Sequence, residues 1–70
     1  MIKKSVVIYK HKTSIALETE FWEALKQIAI KDEISLSQLI EKVDKIRITN
    51  NLSSALRTYI LHYYKIIQNT

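Results

Sequence analysis

The stretch Lys12 to Leu17, KTSIAL, constrains this chain most. Thr13, Ile15 and Leu17 fall on one side of an extended segment and Lys12, Ser14 and Ala16 on the other, the period-two signature of a half-buried strand. A lone strand leaves both edges unpaired. No second apolar run is joined to this one by a recognisable hairpin turn, so the most economical partner is a second copy of the same strand. A two-fold axis between antiparallel copies buries Thr13, Ile15 and Leu17 of each chain and presents Lys12, Ser14 and Ala16 on the other face. A two-stranded ribbon of this kind fits the major groove of B-form DNA.

Size leads to the same expectation. A 70-residue chain makes one domain, 1–70, in a range where a monomer buries only about 60% of its unfolded surface. There is no cysteine, so no disulfide supplements the core, and no Cys/His pattern suggests zinc. With 47% apolar residues, a homodimer sharing one core is the natural solution. Glycine and proline are both absent, which favours helices joined by short connections over irregular loops. No apolar run approaches the length of a membrane span or of a signal-peptide core, so a cytoplasmic protein without a membrane partner is expected.

The net charge of +4 is unevenly placed. Residues 1–17 hold Lys3, Lys4, Lys10 and Lys12 and no acid, while basic and acidic side chains balance over 18–70. A localised basic end beside the strand is what phosphate neutralisation requires. Residues 1–11 also contain the β-prone run Val6 to Tyr9. This arm could extend the strand, pair with it, or lie over a partner's helices.

Three helices follow. The first is expected over 19–31: Thr19 can cap it, Glu20 and Glu23 suit its start, and Lys26 and Lys31 suit its end. Phe21, Leu25, Ile28 and Ala29 form its apolar stripe, with Trp22 at the edge. Asp32 and Glu33 make a turn lacking the usual glycine, and Ile34 folds back on the helix pair. Ser35, with Gln38 three residues on, makes a capping box for a second helix over 36–47, whose apolar side is Leu36, Leu39, Ile40, Val43 and Ile46. Thr49, Asn50 and Asn51 suit a connection to a third helix over 52–67, with Leu52, Leu56, Tyr59, Ile60, Tyr63 and Ile67 on its apolar side and Arg57, His62 and Lys65 exposed. The fold class is therefore mostly α with one short β-strand, a ribbon followed by helices, plus a third helix.

The catalytic inventory is thin. His11 lies in a basic flank and His62 among tyrosines, and neither has a carboxylate near in sequence to complete a triad or metal set. No enzyme activity, cofactor or small-molecule substrate is expected. For DNA, Lys12 can donate to guanine, Ser14 can reach a base edge and Ala16 can meet a thymine methyl. Lys10 and His11 lie beside them for phosphate. The free N–H groups of Leu36 and Ser37, with Ser35, open the second helix as a phosphate cradle. Trp22 and the tyrosines Tyr59, Tyr63 and Tyr64 offer an alternative, a surface for protein–protein contact or assembly.

The run TSIALETEFWEALKQIAIKDEISLSQLIEKV resembles a ribbon-helix-helix domain of bacterial, plasmid and phage DNA-binding proteins. With NNLSSALRTYILHYY it resembles a small bacterial family of that type with an added C-terminal helix. The resemblance implies an intertwined two-fold dimer whose intermolecular antiparallel ribbon enters the major groove of double-stranded DNA, usually to regulate transcription. It implies base contacts from Lys12, Ser14 and Ala16 and a phosphate clamp at Ile34-Ser35-Leu36-Ser37. It also implies a dimer core containing Thr13, Ile15, Leu17, Leu25, Ile28, Leu36, Ile40 and Val43. Some such proteins bind as adjacent dimers and some are antitoxins. Two departures stand out: Glu33 replaces a glycine usual in the turn, and Ser14 and Ala16 are smaller than the residues many readers carry.

Overall fold

The computed structural model describes residues 1–68, and the side chains of Ile67 and Gln68 lie outside that description. Five elements follow one another: β1 (Ile2–Ile8), β2 (His11–Leu17), α1 (Thr19–Lys31), α2 (Leu36–Ile46) and α3 (Leu52–Gln68). The chain is thus mostly helical, with two strands in place of the single one expected.

The partner of β2 is β1 of the same chain. The strands pair antiparallel from Ile2 opposite Leu17 to Ile8 opposite His11, and the turn is only Tyr9-Lys10. Both turn residues are left-handed, with φ of 52° and 65°, as a type I′ hairpin requires. That turn normally advertises itself by Asn-Gly, because a side chain at positive φ costs roughly 1–2 kcal/mol. Tyr-Lys gives no such signal, which is why the hairpin was not evident and a second copy was expected to supply the strand.

Side-chain contacts hold the unusual hairpin in place. At one end, the Tyr9 N–H donates to Glu41 Oε2 at 2.9 Å and its hydroxyl donates to the Glu41 carbonyl at 3.2 Å. At the other, the Trp22 indole N–H donates to the Ile2 carbonyl at 2.9 Å, and the Lys4 ammonium sits 5.1 Å from the Trp22 ring centre. The first strand is thereby fastened to α2 and α1.

Helix α1 begins one residue earlier than a Thr19 cap would allow. Glu18 is the N-cap, and its carbonyl accepts from the N–H of Phe21 and Trp22. Its side chain does not cap. The carboxylate instead receives Arg57 of α3 at 3.0 and 3.4 Å, so Arg57 is half-buried rather than exposed. At the other end, Ile34 N–H reaches the Ala29 carbonyl and Glu33 N–H reaches that of Ile30, the two bonds of a Schellman ending. Glu33 takes the left-handed position at φ 57° where glycine is the usual residue, and Ile34 packs on the core.

The capping box of α2 is complete: Ser35 Oγ accepts from Gln38 N–H at 3.0 Å and Gln38 Oε1 accepts from Ser35 N–H at 2.9 Å. Helix α2 ends at Ile46, with Arg47 already extended and tied to Asp44 at 2.8 Å. Asn51 caps α3 by accepting from Ser54 N–H at 3.1 Å.

One core joins the sheet to all three helices: Ile15, Leu17, Trp22, Leu25, Ile28, Ala29, Leu39, Ile40, Val43, Ala55, Leu56 and Ile60. Several expected positions shift. Trp22 is 1% exposed and central, while Phe21 takes the edge. Ile46, placed on the buried side of the second helix by its spacing, is 62% exposed because α2 ends there. The expected burial of Ile67 falls outside the described residues.

The positions expected to form a dimer core are filled within one chain. Ile15, Leu17, Leu25, Ile28, Ile40 and Val43 are each no more than 3% exposed, and Thr13 and Leu36 are half-buried. The hairpin covers one side of this core and α3 folds back on another. The size argument for a core shared between copies is thereby met inside a single chain.

Candidate nucleic-acid interface

The hairpin has two faces, set by the alternation of its residues and by the register. Towards the helices point Val6, Ile8, Thr13, Ile15 and Leu17, which are half-buried or buried. Away from them point Lys3 opposite Ala16, Ser5 opposite Ser14 and Val7 opposite Lys12. All of these except the half-buried Ala16 are exposed. Lys12, Ser14 and Ala16 thus share one outward face, joined by Lys3, Ser5 and Val7 of β1. The last three were missed because recognising them required the hairpin and its register.

Lys10 stands in the turn, exposed at the ribbon's tip. His11 is also exposed, but as the neighbour of Lys12 it belongs to the opposite face of the strand. The outward face and the tip carry Lys3, Lys10 and Lys12 and no acidic residue.

Ser35, Leu36 and Ser37 open α2, on the same helix that anchors the hairpin turn. At a rise of about 1.5 Å per residue, the Glu41 anchor lies about 9 Å along the axis from Ser35. The Ser35 hydroxyl is committed as acceptor to the cap. Among the described residues the Leu36 and Ser37 N–H groups have no hydrogen-bond partner, as first-turn amides commonly do not.

The environment of the turn is electrostatically distinct. Burial, followed by the carboxylates of Asp44 and Glu41, holds the Tyr9 phenol above its ordinary value, so it is a neutral donor at physiological pH. Glu18 is the converse. Hydrogen bonding from Arg57, then from its own backbone, holds its carboxyl below the ordinary value of 4.5.

The surfaces considered for protein contact fare differently. Trp22 is inside the core and its N–H is used, so it cannot be a docking residue. The tyrosines of α3 are half-buried and pack on each other: Tyr59 and Tyr63 have ring centres 6.4 Å apart, and Tyr63 meets Tyr64 edge-on at 5.5 Å. Burial raises the Tyr63 phenol above its ordinary value. An open groove of about 480 Å³ lies between the end of α2 and α3, lined by Val43, Ile46, Ile48, Ala55, Tyr59 and His62 among others. No carboxylate lines it, so His62 there lacks the partner that acid–base work requires. Among the described residues no helix is long and apolar enough to cross a membrane.

A short hairpin with a basic outward face, followed by a capped helix pair, defines a ribbon-and-helices module of the nucleic-acid-binding kind. The chain matches the family model described as a ribbon-helix-helix domain over residues 1–64, and it belongs to that family. The match takes in both strands and most of α3, so the C-terminal helix is part of the domain. No curated protein and no solved structure matches the chain.

Proposed function

We propose that this protein binds double-stranded DNA through the major groove, with sequence specificity or partial specificity, and acts as a transcriptional regulator rather than an enzyme. The observation that carries this reading is the outward ribbon face, exposed, free of acid and flanked by Lys3, Lys10 and Lys12. Phosphate neutralisation by such lysines supplies affinity, while small polar and apolar side chains between them meet base edges.

In this reading Lys12, Ser14 and Ala16 contact bases, and Lys10, His11 and the opening of α2 at Ser35, Leu36 and Ser37 contact phosphates. Ser35 serves through its position in the cap, since its hydroxyl oxygen already accepts from Gln38. His11 reaches phosphate from the strand's other face, at the exposed end of the ribbon. Regulators of this kind match two-fold operators by acting as homodimers. The exposed Ile46, Ile48 and Leu61 offer apolar surface for that association outside the ribbon.

Fluorescence anisotropy on a short mixed-sequence duplex over a range of salt concentrations tests the reading. Wild-type affinity falls steeply with salt, and Lys12→Ala lowers the log–log slope by about 0.9, the share of one phosphate. A folded protein with no duplex affinity at low salt sinks it. Selection from a random duplex pool, with the mass of the bound species measured, then reads the preferred sequence and the oligomeric state.

A further inference from the structure

The two strands of the hairpin are near-copies of each other. KKSVVI, residues 3–8, and KTSIAL, residues 12–17, align nine positions apart: Lys3 with Lys12, Ser5 with Ser14, Val6 with Ile15, Val7 with Ala16 and Ile8 with Leu17. The register turns this repeat into symmetry. Ser5 stands opposite Ser14, so a two-fold axis through that pair, perpendicular to the sheet, carries Lys3 onto Lys12 and Val7 onto Ala16. On the inner face the same axis carries Val6 onto Ile15 and Ile8 onto Leu17, all packed on the core.

The outward face therefore has a lysine at each of two diagonal corners, a serine pair at its centre and a small apolar residue at each of the other corners. Strand spacing and rise put the two lysine Cα atoms about 14 Å apart. That is slightly more than the width of a major groove, about 12 Å, and lysine reach brings each ammonium to its own backbone strand of the duplex. The central serines face base edges, and Val7 and Ala16 present methyl groups of the kind that meet thymine. A duplex has local two-fold symmetry of its own, and a two-fold ribbon matches it.

We propose that the hairpin of a single chain is a complete, pseudo-two-fold reading head for the major groove. In it Lys3, Ser5 and Val7 contact DNA as the counterparts of Lys12, Ser14 and Ala16. This rests on the DNA-binding reading above. One chain then supplies both strands of the ribbon, without a second copy lending one, and the preferred contact site is a short two-fold-symmetric step.

The test uses the full chain, a short mixed-sequence duplex and anisotropy over a salt series. Lys3→Ala and Lys12→Ala each lower the log–log salt slope by about 0.9, equally, and the double variant by about twice that. In parallel, Val6→Cys with Thr13→Cys cross-links an inward-facing pair opposite each other in the register, in a chain with no other cysteine. The oxidised, hairpin-locked protein binds the duplex as the reduced form does. Two results would overturn the inference while leaving DNA binding intact: Lys12→Ala weakens binding and Lys3→Ala does not, or oxidation abolishes binding that reductant restores. The lysine comparison stands even if the cross-linked variant fails to fold. A wild-type protein without duplex affinity removes the DNA-binding reading and this inference with it.

Discussion

Tyr9 and Glu41, 32 positions apart, are joined twice: the Tyr9 amide donates to the Glu41 carboxylate and the Tyr9 hydroxyl to the Glu41 carbonyl. The contact secures a left-handed turn residue to the middle of α2 and so sets where the ribbon sits. Glu41→Ala removes the charged acceptor and frees the turn. Amide hydrogen exchange at Ile8 to Lys12 should accelerate several-fold, with little change in the α1 amides. Unaltered exchange in the turn would show that strand pairing alone holds it.

Glu33 occupies a left-handed position at the end of α1 without the conformational freedom that makes glycine the usual residue there. Its backbone bonds, not its side chain, make the turn. Glu33→Gly should therefore raise stability by about 1 kcal/mol, after the greater entropy of glycine in the unfolded chain is set against the relieved strain. Chemical denaturation measures this directly, and a loss of stability would mean that the Glu33 side chain contributes something not evident in the fold.

The helices were legible because their signals are local. The Ser35–Gln38 capping box and the Leu39, Ile40, Val43 spacing each lie within two turns of chain, as does the acidic-to-basic gradient of α1. The hairpin was hidden because its signal is conformational: Tyr9 and Lys10 take positive φ without glycine or asparagine, held by a carboxylate far along the chain. The same gap misplaced the core. With no second strand in view, Ile15 and Leu17 were given to a partner copy, and Trp22 was left at an edge that β1 in fact covers. Of the candidate site, the outward half carried by β2 follows from alternation alone, whereas Lys3, Ser5 and Val7 needed the register.

Glu18 and Arg57 give stability a defined acid limb. The Glu18 carboxyl is held below its ordinary value of 4.5, so the folded chain binds that proton less readily than the unfolded one. Its contribution is fully present above pH 4.5 and is lost as pH falls through the lowered folded value. Arg57→Gln should lower the melting temperature at pH 7 and have progressively less effect on acidification below pH 4.5. A pH-independent difference would mean that Arg57 acts through its packing over Phe21 rather than through the ion pair.

Leu56 is fully buried at the centre of α3, in the same core as the hairpin residues Ile15 and Leu17. If α3 completes a single-chain core, Leu56→Ala costs about 3 kcal/mol by cavity formation and does so in one transition that also unfolds the ribbon. Equilibrium denaturation followed by both helical circular dichroism and Trp22 fluorescence should show coincident curves. An α3 that melts separately would make it an appendage to the ribbon and helix pair.

Trp22 links the core to the start of β1, since its ring is buried and its N–H donates to the Ile2 carbonyl. Trp22→Phe keeps an aromatic ring but deletes that donor and leaves a smaller side chain in a closed site. The expected loss is about 2 kcal/mol, part cavity and part unsatisfied carbonyl, with faster exchange at the amides of Lys3 and Lys4. Lys4 also loses the indole beneath its ammonium, which loosens the strand that carries Lys3. DNA affinity should then fall through the β1 side of the ribbon while Lys12→Ala retains its separate effect. A variant as stable as the wild type would return Trp22 to the surface role that its burial excludes.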